Sequence, residues 1–239
     1  MSGSQYIALS GLRARADDLD RIAADIANLG TAGYKGERQV RAAAERSPFD
    51  RAFETAVDTT FGGRRLDTRD GALAATGRTL DLALEGPGFF VVTTPAGDRY
   101  TRNGHFTLDA NRTLVTEEGF TVKGAGGPIT LGTEGDVRID ADGTVWTGTA
   151  RSGQLALAEF DDPGLMTREQ GSLLGPGGQE AKTATAQVHA GSLEQSNVTV
   201  ADRLAELTTV SRGFEALQKA LSVLMNEIDG RAVESLGRR

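Results

Sequence analysis

Residues 28–35, Asn-Leu-Gly-Thr-Ala-Gly-Tyr-Lys, end one kind of structure and begin another. Before them Leu12, Leu19 and Ile26 recur at seven-residue intervals, with Leu9, Ala16, Ile22, Ala23 and Leu29 filling the same face, which predicts an amphipathic helix with a narrow apolar seam. Gly30 and Gly33 permit left-handed backbone angles, and Asn28 or Thr31 can hydrogen-bond to nearby backbone groups, so the helix is expected to stop here and turn. A seam of this kind is unstable without a partner.

The opposite end of the chain offers one. Val200, Leu207, Phe214, Leu221 and Ile228 keep the same seven-residue spacing, interleaved by Leu204, Val210, Leu217 and Leu224. Asn197 or Thr199, with Asp202 beyond, can cap the start of this second helix. The two seams are expected to bury each other, and the longer one outlasts the shorter, leaving apolar surface that favours self-assembly. The seam set is Leu12, Leu19, Ile26, Leu204, Leu207, Phe214, Leu217, Leu221 and Ile228.

Between the ends the composition changes. Of 31 glycines in 239 residues, 19 fall between positions 80 and 191, and with only 6 prolines this reads as short strands joined by glycine turns. Phe89-Phe90-Val91-Val92 is a β-rich run, Asn103-Gly104 a tight-turn dipeptide expected in a hairpin, and Asp140 to Gly143 and Gly126-Gly127-Pro128 punctuate further hairpins. The expected fold is α+β: long N- and C-terminal heptad helices pairing as a coiled coil, with a central β-rich domain of short antiparallel strands. The expected segments are 1–34 (helix and junction), 35–79 (linker or extended), 80–191 (β-rich) and 192–239 (long helix).

Composition also excludes function classes. A net charge of −7 with interspersed signs gives no basic footprint for nucleic acid. The absence of cysteine removes disulfides, thiolate nucleophiles and cysteine-zinc sites. The N-terminal stretch turns charged within a dozen residues, so no cleaved signal peptide is expected, and no run reaches the apolar length of a membrane span. His105 and His189, the only histidines, fall at expected strand surfaces. Gly124 to Gly127 lacks the following helix a phosphate loop requires, Asp140-Ala141-Asp142-Gly143 lacks the further ligands of a calcium loop, and Asp161-Asp162-Pro163-Gly164 is turn chemistry. No catalytic, metal, cofactor or small-molecule site is expected.

Three stretches together resemble the bacterial flagellar basal-body rod and hook family. Ile22 to Lys35 is similar to its N-terminal signature, with Asp25 where the family usually carries asparagine; Leu80 to Val92 with Tyr100 to Phe106 resembles its β domain; Gly191 to Val198 resembles its C-terminal motif. Asn28, Thr31, Gly33, Tyr34 and Asn197 carry the junction in that resemblance. It implies a structural axial protein, most like the proximal-rod paralogue, with distal-rod or hook-type proteins as alternatives and a soluble binding module as a rival outside the family. It further implies partners in itself, other rod proteins and the flagellar type III export apparatus, and a place in the periplasmic rod of the basal body.

Overall fold

The computed structural model describes residues 3–41 and 61–236, with side chains described over 11–39 and 63–223. The chain divides into two compact units, one taking 28–38 with 65–199 and the other taking the described parts of 1–27, 39–64 and 200–239.

The first unit is almost wholly β. Its largest sheet has ten strands and centres on Phe89–Thr94, which pairs antiparallel with Gly97–Thr101, Thr121–Gly124 and Leu157–Glu159. The Phe89-Phe90-Val91-Val92 run is continuously apolar because both faces of that strand are covered. Phe90 and Val92 enter one core with Leu82, Leu84, Phe106 and Val122, while Phe89 and Val91 enter another with Tyr100, Phe160 and Met166. Edge-to-face ring pairs mark the two cores, Phe90 on Phe106 at 5.1 Å and Tyr100 on Phe160 at 4.7 Å. Val137–Ile139 and Thr144–Thr147 form a hairpin at Asp140 to Gly143, where Gly143 takes φ +78° and its N–H donates to Asp140 O at 2.9 Å. Asn103-Gly104 makes no hairpin. Gly97–Thr101 and Phe106–Leu108 lie apart in the sheet, and Gly104 is required for a different reason: a Cβ there would fall 1.7 Å from Leu82 O.

Two short ladders close the unit. Gln187–Ala190 pairs with Leu82–Glu85, and Ser192–Glu194 pairs with Leu73–Ala75. The second brings the end of the β segment back beside residues that precede its start.

The other unit contains the two helices, α1 at Gly3–Ala27 and α2 at Val200–Leu236, which pack on each other. None among the described residues is long and apolar enough to cross a membrane. The expectation of an α+β chain with terminal helices joined along a heptad coiled coil is corrected here. The described chain is mostly β, only two helices form, and their contact carries charge. On α1 the buried positions are Gly11, Ala14, Asp18, Arg21, Ile22 and Asp25, one step round the helix from Leu12, Leu19 and Ile26, which are half-buried. On α2 Val210 is buried, and Leu207, Phe214, Leu217 and Leu221 are half-buried. Leu204 is 50 % exposed, and the side chain of Ile228 lies outside those described. The physical reason is that paired charges can occupy a buried face, and a search for apolar spacing assigns those same residues to solvent.

Gly213 tests how well this contact is filled. A methyl group on it would sit 3.6 Å from Arg15 Nε, an ordinary contact, and glycine costs a helix interior about 1 kcal/mol relative to alanine. Gly213→Ala should therefore stabilise the helical unit by about 0.5–1 kcal/mol. A raised midpoint in circular-dichroism melting is the expected result; a lowered one would mean that Arg15 cannot share the space.

Candidate functional site

The turn after α1 is built around a glycine with no freedom to be anything else. Thr31 donates from its N–H to Asn28 O at 3.1 Å and from its hydroxyl to Asn28 Oδ1 at 3.1 Å, closing the turn. Gly33 follows at φ +65°, and a Cβ there would fall 2.1 Å from the carbonyl carbon of Arg102. Its N–H donates to Glu194 O at 2.7 Å. Two constraints therefore meet at one residue, a left-handed angle and a backbone pressed on backbone.

Beyond it the chain is fastened by buried charge. The Glu194 side chain is fully enclosed, and its Oε1 accepts from Lys35 Nζ at 2.5 Å and from the Gly71 N–H at 2.8 Å, while Oε2 accepts from Arg102 Nη1 at 3.2 Å. Lys35 also donates to Arg69 O at 2.7 Å, and Arg102 donates to Leu84 O at 3.3 Å and Gly86 O at 2.7 Å. An isolated carboxylate so enclosed would cost several kcal/mol of desolvation, so this one persists because cations and an N–H satisfy both oxygens. Asp70 stands 3.7 Å from Lys35 and 3.6 Å from Arg102 at the rim.

Asn197 forms the second tie. Its Oδ1 accepts from the Gly36 N–H at 2.8 Å, its Nδ2 donates to Asp67 O at 2.8 Å and Arg69 O at 3.0 Å, and its own N–H donates to Tyr34 O at 3.2 Å. One amide side chain thus joins three segments. Tyr34 is buried beneath the Arg168 guanidinium, 4.1 Å from its ring centroid, and Arg168 donates to Lys35 O. Hydrogen bonds from the Arg69 side chain hold the Asp67 carboxyl below the usual carboxylate range. The stability this contributes is present above the ordinary carboxylate pKa and is lost as pH falls through the depressed one.

The structure brings Gly33, Tyr34 and Asn197 into one neighbourhood, 33–36 lying against 194–197, with Asn28 and Thr31 closing the turn just before it. The seam residues lie in the other unit. Lys35, Arg102 and Glu194 were not singled out by the sequence. Lys35 and Glu194 are 159 positions apart, and their only local mark is a charge set among turn residues. Among the described residues no group of acidic residues and histidines could hold a metal. His105 lies 2.9 Å from Asp81, and His189 lies 2.6 Å from Glu85. A cleft of about 400 Å³ borders the clasp, but the Lys35 and Arg102 side chains lining it are already committed to Glu194 and to carbonyls. This arrangement fastens chain segments together.

Comparison with known proteins agrees in extent. Residues 83–147 match the family model for the flagellar hook protein FlgE/F/G D1 domain, and residues 189–231 match that for the flagellar basal body rod FlgEFG protein C-terminal region. The chain is 32 % identical to the flagellar basal-body rod protein FlgF of Caulobacter vibrioides, covering 100 % of this chain and 99 % of that one. It is 32 % identical to FlgF of Rhizobium meliloti, covering 99 % of each, and 31 % identical to the rod protein FlgG of Bacillus subtilis, covering 93 % and 95 %. Arg102 lies in the first matched region, and Glu194 and Asn197 lie in the second.

Replacing Gly33 separates the two neighbouring glycines. Gly33→Val should destabilise the β unit by more than about 2 kcal/mol, since it adds backbone strain to a collision with Arg102. Gly30→Ala, where a methyl meets nothing within 4 Å, should change stability by less than about 0.5 kcal/mol. Denaturant melts of the two variants decide the matter, and equal effects would remove the close approach at Gly33 as its explanation.

Proposed function

Belonging as it does to the flagellar basal-body rod protein family, the chain is a structural rod subunit, and we propose that its place is the proximal rod. Full-length likeness to rod proteins carries this reading. The proximal position is supported by the short chain, its single β-rich segment without a long insertion, and the tail from Met225 to Arg231. The protein polymerises with itself and with other rod proteins into a shaft that transmits torque and surrounds the export channel. It reaches that position through the flagellar type III apparatus.

The chemistry of such a protein is packing, not catalysis. The buried tie at Glu194 and the half-buried one at Asn197 resist shear within the β unit because their hydrogen bonds must break together. Assembly contacts are assigned to α2, where Phe214, Leu217 and Leu221 are only half-buried in the single chain and Leu204 is exposed.

Complementation of a strain lacking this protein tests the assignment. Phe214→Asp places a carboxylate in a half-buried contact at a cost of about 2 kcal/mol or more, and completed rods should disappear. Arg212→Asp, at an exposed position two residues away, should build rods at close to the normal count. Rods formed normally with Asp at 214 would remove α2 from the assembly contact. A label on the chain should appear in the proximal segment of purified basal bodies; label in the hook would overturn the rod position, and a chain that stays monomeric at every concentration would point to a binding module.

A further inference from the structure

Among the described residues the contact between α1 and α2 holds six charged side chains where an apolar seam was expected. Arg203 Nε lies 3.1 Å from Asp25 Oδ2, and Arg21 bonds Glu206 across the same contact. Arg15, further toward the start of α1, lies against Gly213, further along α2. Positions fall on one helix as they rise on the other, so the helices run antiparallel, with paired positions summing to about 228.

Arg21 and Arg203 each also hold a carboxylate on their own helix. Arg21 lies 3.5 Å from Asp25 and 3.7 Å from Asp18, and Arg203 bonds Glu206. By contrast, Ile22 and Val210 are the only large apolar side chains buried among the described residues of the two helices. The cluster is a poor device for stability alone. Burial pushes the Asp18 carboxyl up, Arg21 and Arg15 draw it down, Glu206 pushes it further up, and Arg64 draws it down weakly, while Gln39 donates to it. With a raised pKa, the stability Asp18 contributes is full below the ordinary carboxylate range and lost as pH rises, so its ionised form works against the pair near neutrality.

What the cluster does well is distinguish one alignment from another. Were α2 displaced by one turn so that its later positions met α1, Asp25 would face Leu207 and Arg21 would face Val210, leaving two enclosed charges against apolar side chains; displaced the other way, Asp25 would exchange its arginine for Thr199. A parallel arrangement that kept Arg21 on Glu206 would set Asp25 near Val210 and move Arg203 from Asp25 to Asp18, so Asp25 would lose its partner across the contact. We propose that Asp25, Arg21, Arg203 and Glu206 form a charge code that fixes the register and direction in which α1 accepts α2. The partner that α1 fits is an antiparallel helix presenting an arginine and, three residues later, a glutamate.

The absence of cysteine makes the test clean, because engineered pairs report alone. In the full chain, Arg15→Cys with Gly213→Cys reports the observed register, and Arg15→Cys with Leu217→Cys reports a register displaced by one turn. With the code intact the first pair should form its disulfide about tenfold faster or more. The code is then moved by one turn through Arg203→Leu, Glu206→Val, Leu207→Arg and Val210→Glu, which conserves composition. The 15–217 pair should now become the faster. A preference that stays with 15–213, or equal rates for the two pairs, would overturn the proposal and leave the register to the chain connections.

Discussion

A single carboxylate holds together the parts of the β unit that lie furthest apart in sequence. Glu194 receives Lys35 from the segment after α1, Arg102 from the middle of the β segment, and the Gly71 N–H from the stretch between. Its backbone pairs with Leu73 in the same ladder, and its carbonyl accepts from Gly33. Removing any one partner would leave buried charge uncompensated, at about 3–5 kcal/mol. The apolar cores around Phe90 and Phe89 give the unit its bulk stability, but a hydrophobic contact has no direction. Direction comes from the clasp, which fixes where residues 33–36 and 194–197 lie against each other.

The helical unit uses charge in a different way. Among its described residues Ile22 and Val210 are the only large apolar side chains buried, and much of α2 is half-buried or exposed in the single chain. A structural rod subunit needs surface left over for neighbours, and a contact specified by Arg21, Asp25, Arg203 and Glu206 can be correct in register without consuming the apolar residues of α2. Register within the chain and the surface proposed for assembly thereby fall to different residues.

Much of this was legible in the residue order, and the failures have one cause. The stop at Asn28 to Gly33 could be read because turn chemistry is local: Thr31 and Asn28 bond each other, and the left-handed angle at Gly33 is a property of one residue. The Phe89 to Val92 run could be read as strand because four consecutive apolar residues suit an element covered on both faces. The family was legible from three stretches, and full-length similarity to rod proteins bears it out. The helices pair, but not along the expected apolar seam, since Asp18, Arg21 and Asp25 carry the charge of a wet face and are enclosed. Asn103-Gly104 suggested a hairpin because its glycine serves close approach to Leu82, which no nearest-neighbour rule reveals. Lys35, Arg102 and Glu194 stayed hidden for the same reason: a buried ion pair is a fact about two distant positions, and each half alone looks like surface.

Amide hydrogen exchange on Glu194→Gln tests the central claim most directly. The substitution keeps the size of the side chain and removes the charge that Lys35 and Arg102 enclose. Protection should fall about tenfold or more at the Gly33, Gly36 and Gly71 N–H groups, all bonded within the clasp, while amides of Phe89–Thr94 keep theirs. Unchanged protection at Gly33 and Gly36, or an equal loss across the whole β unit, would contradict the account, since the first would make the charge dispensable and the second would make the clasp indistinguishable from the core.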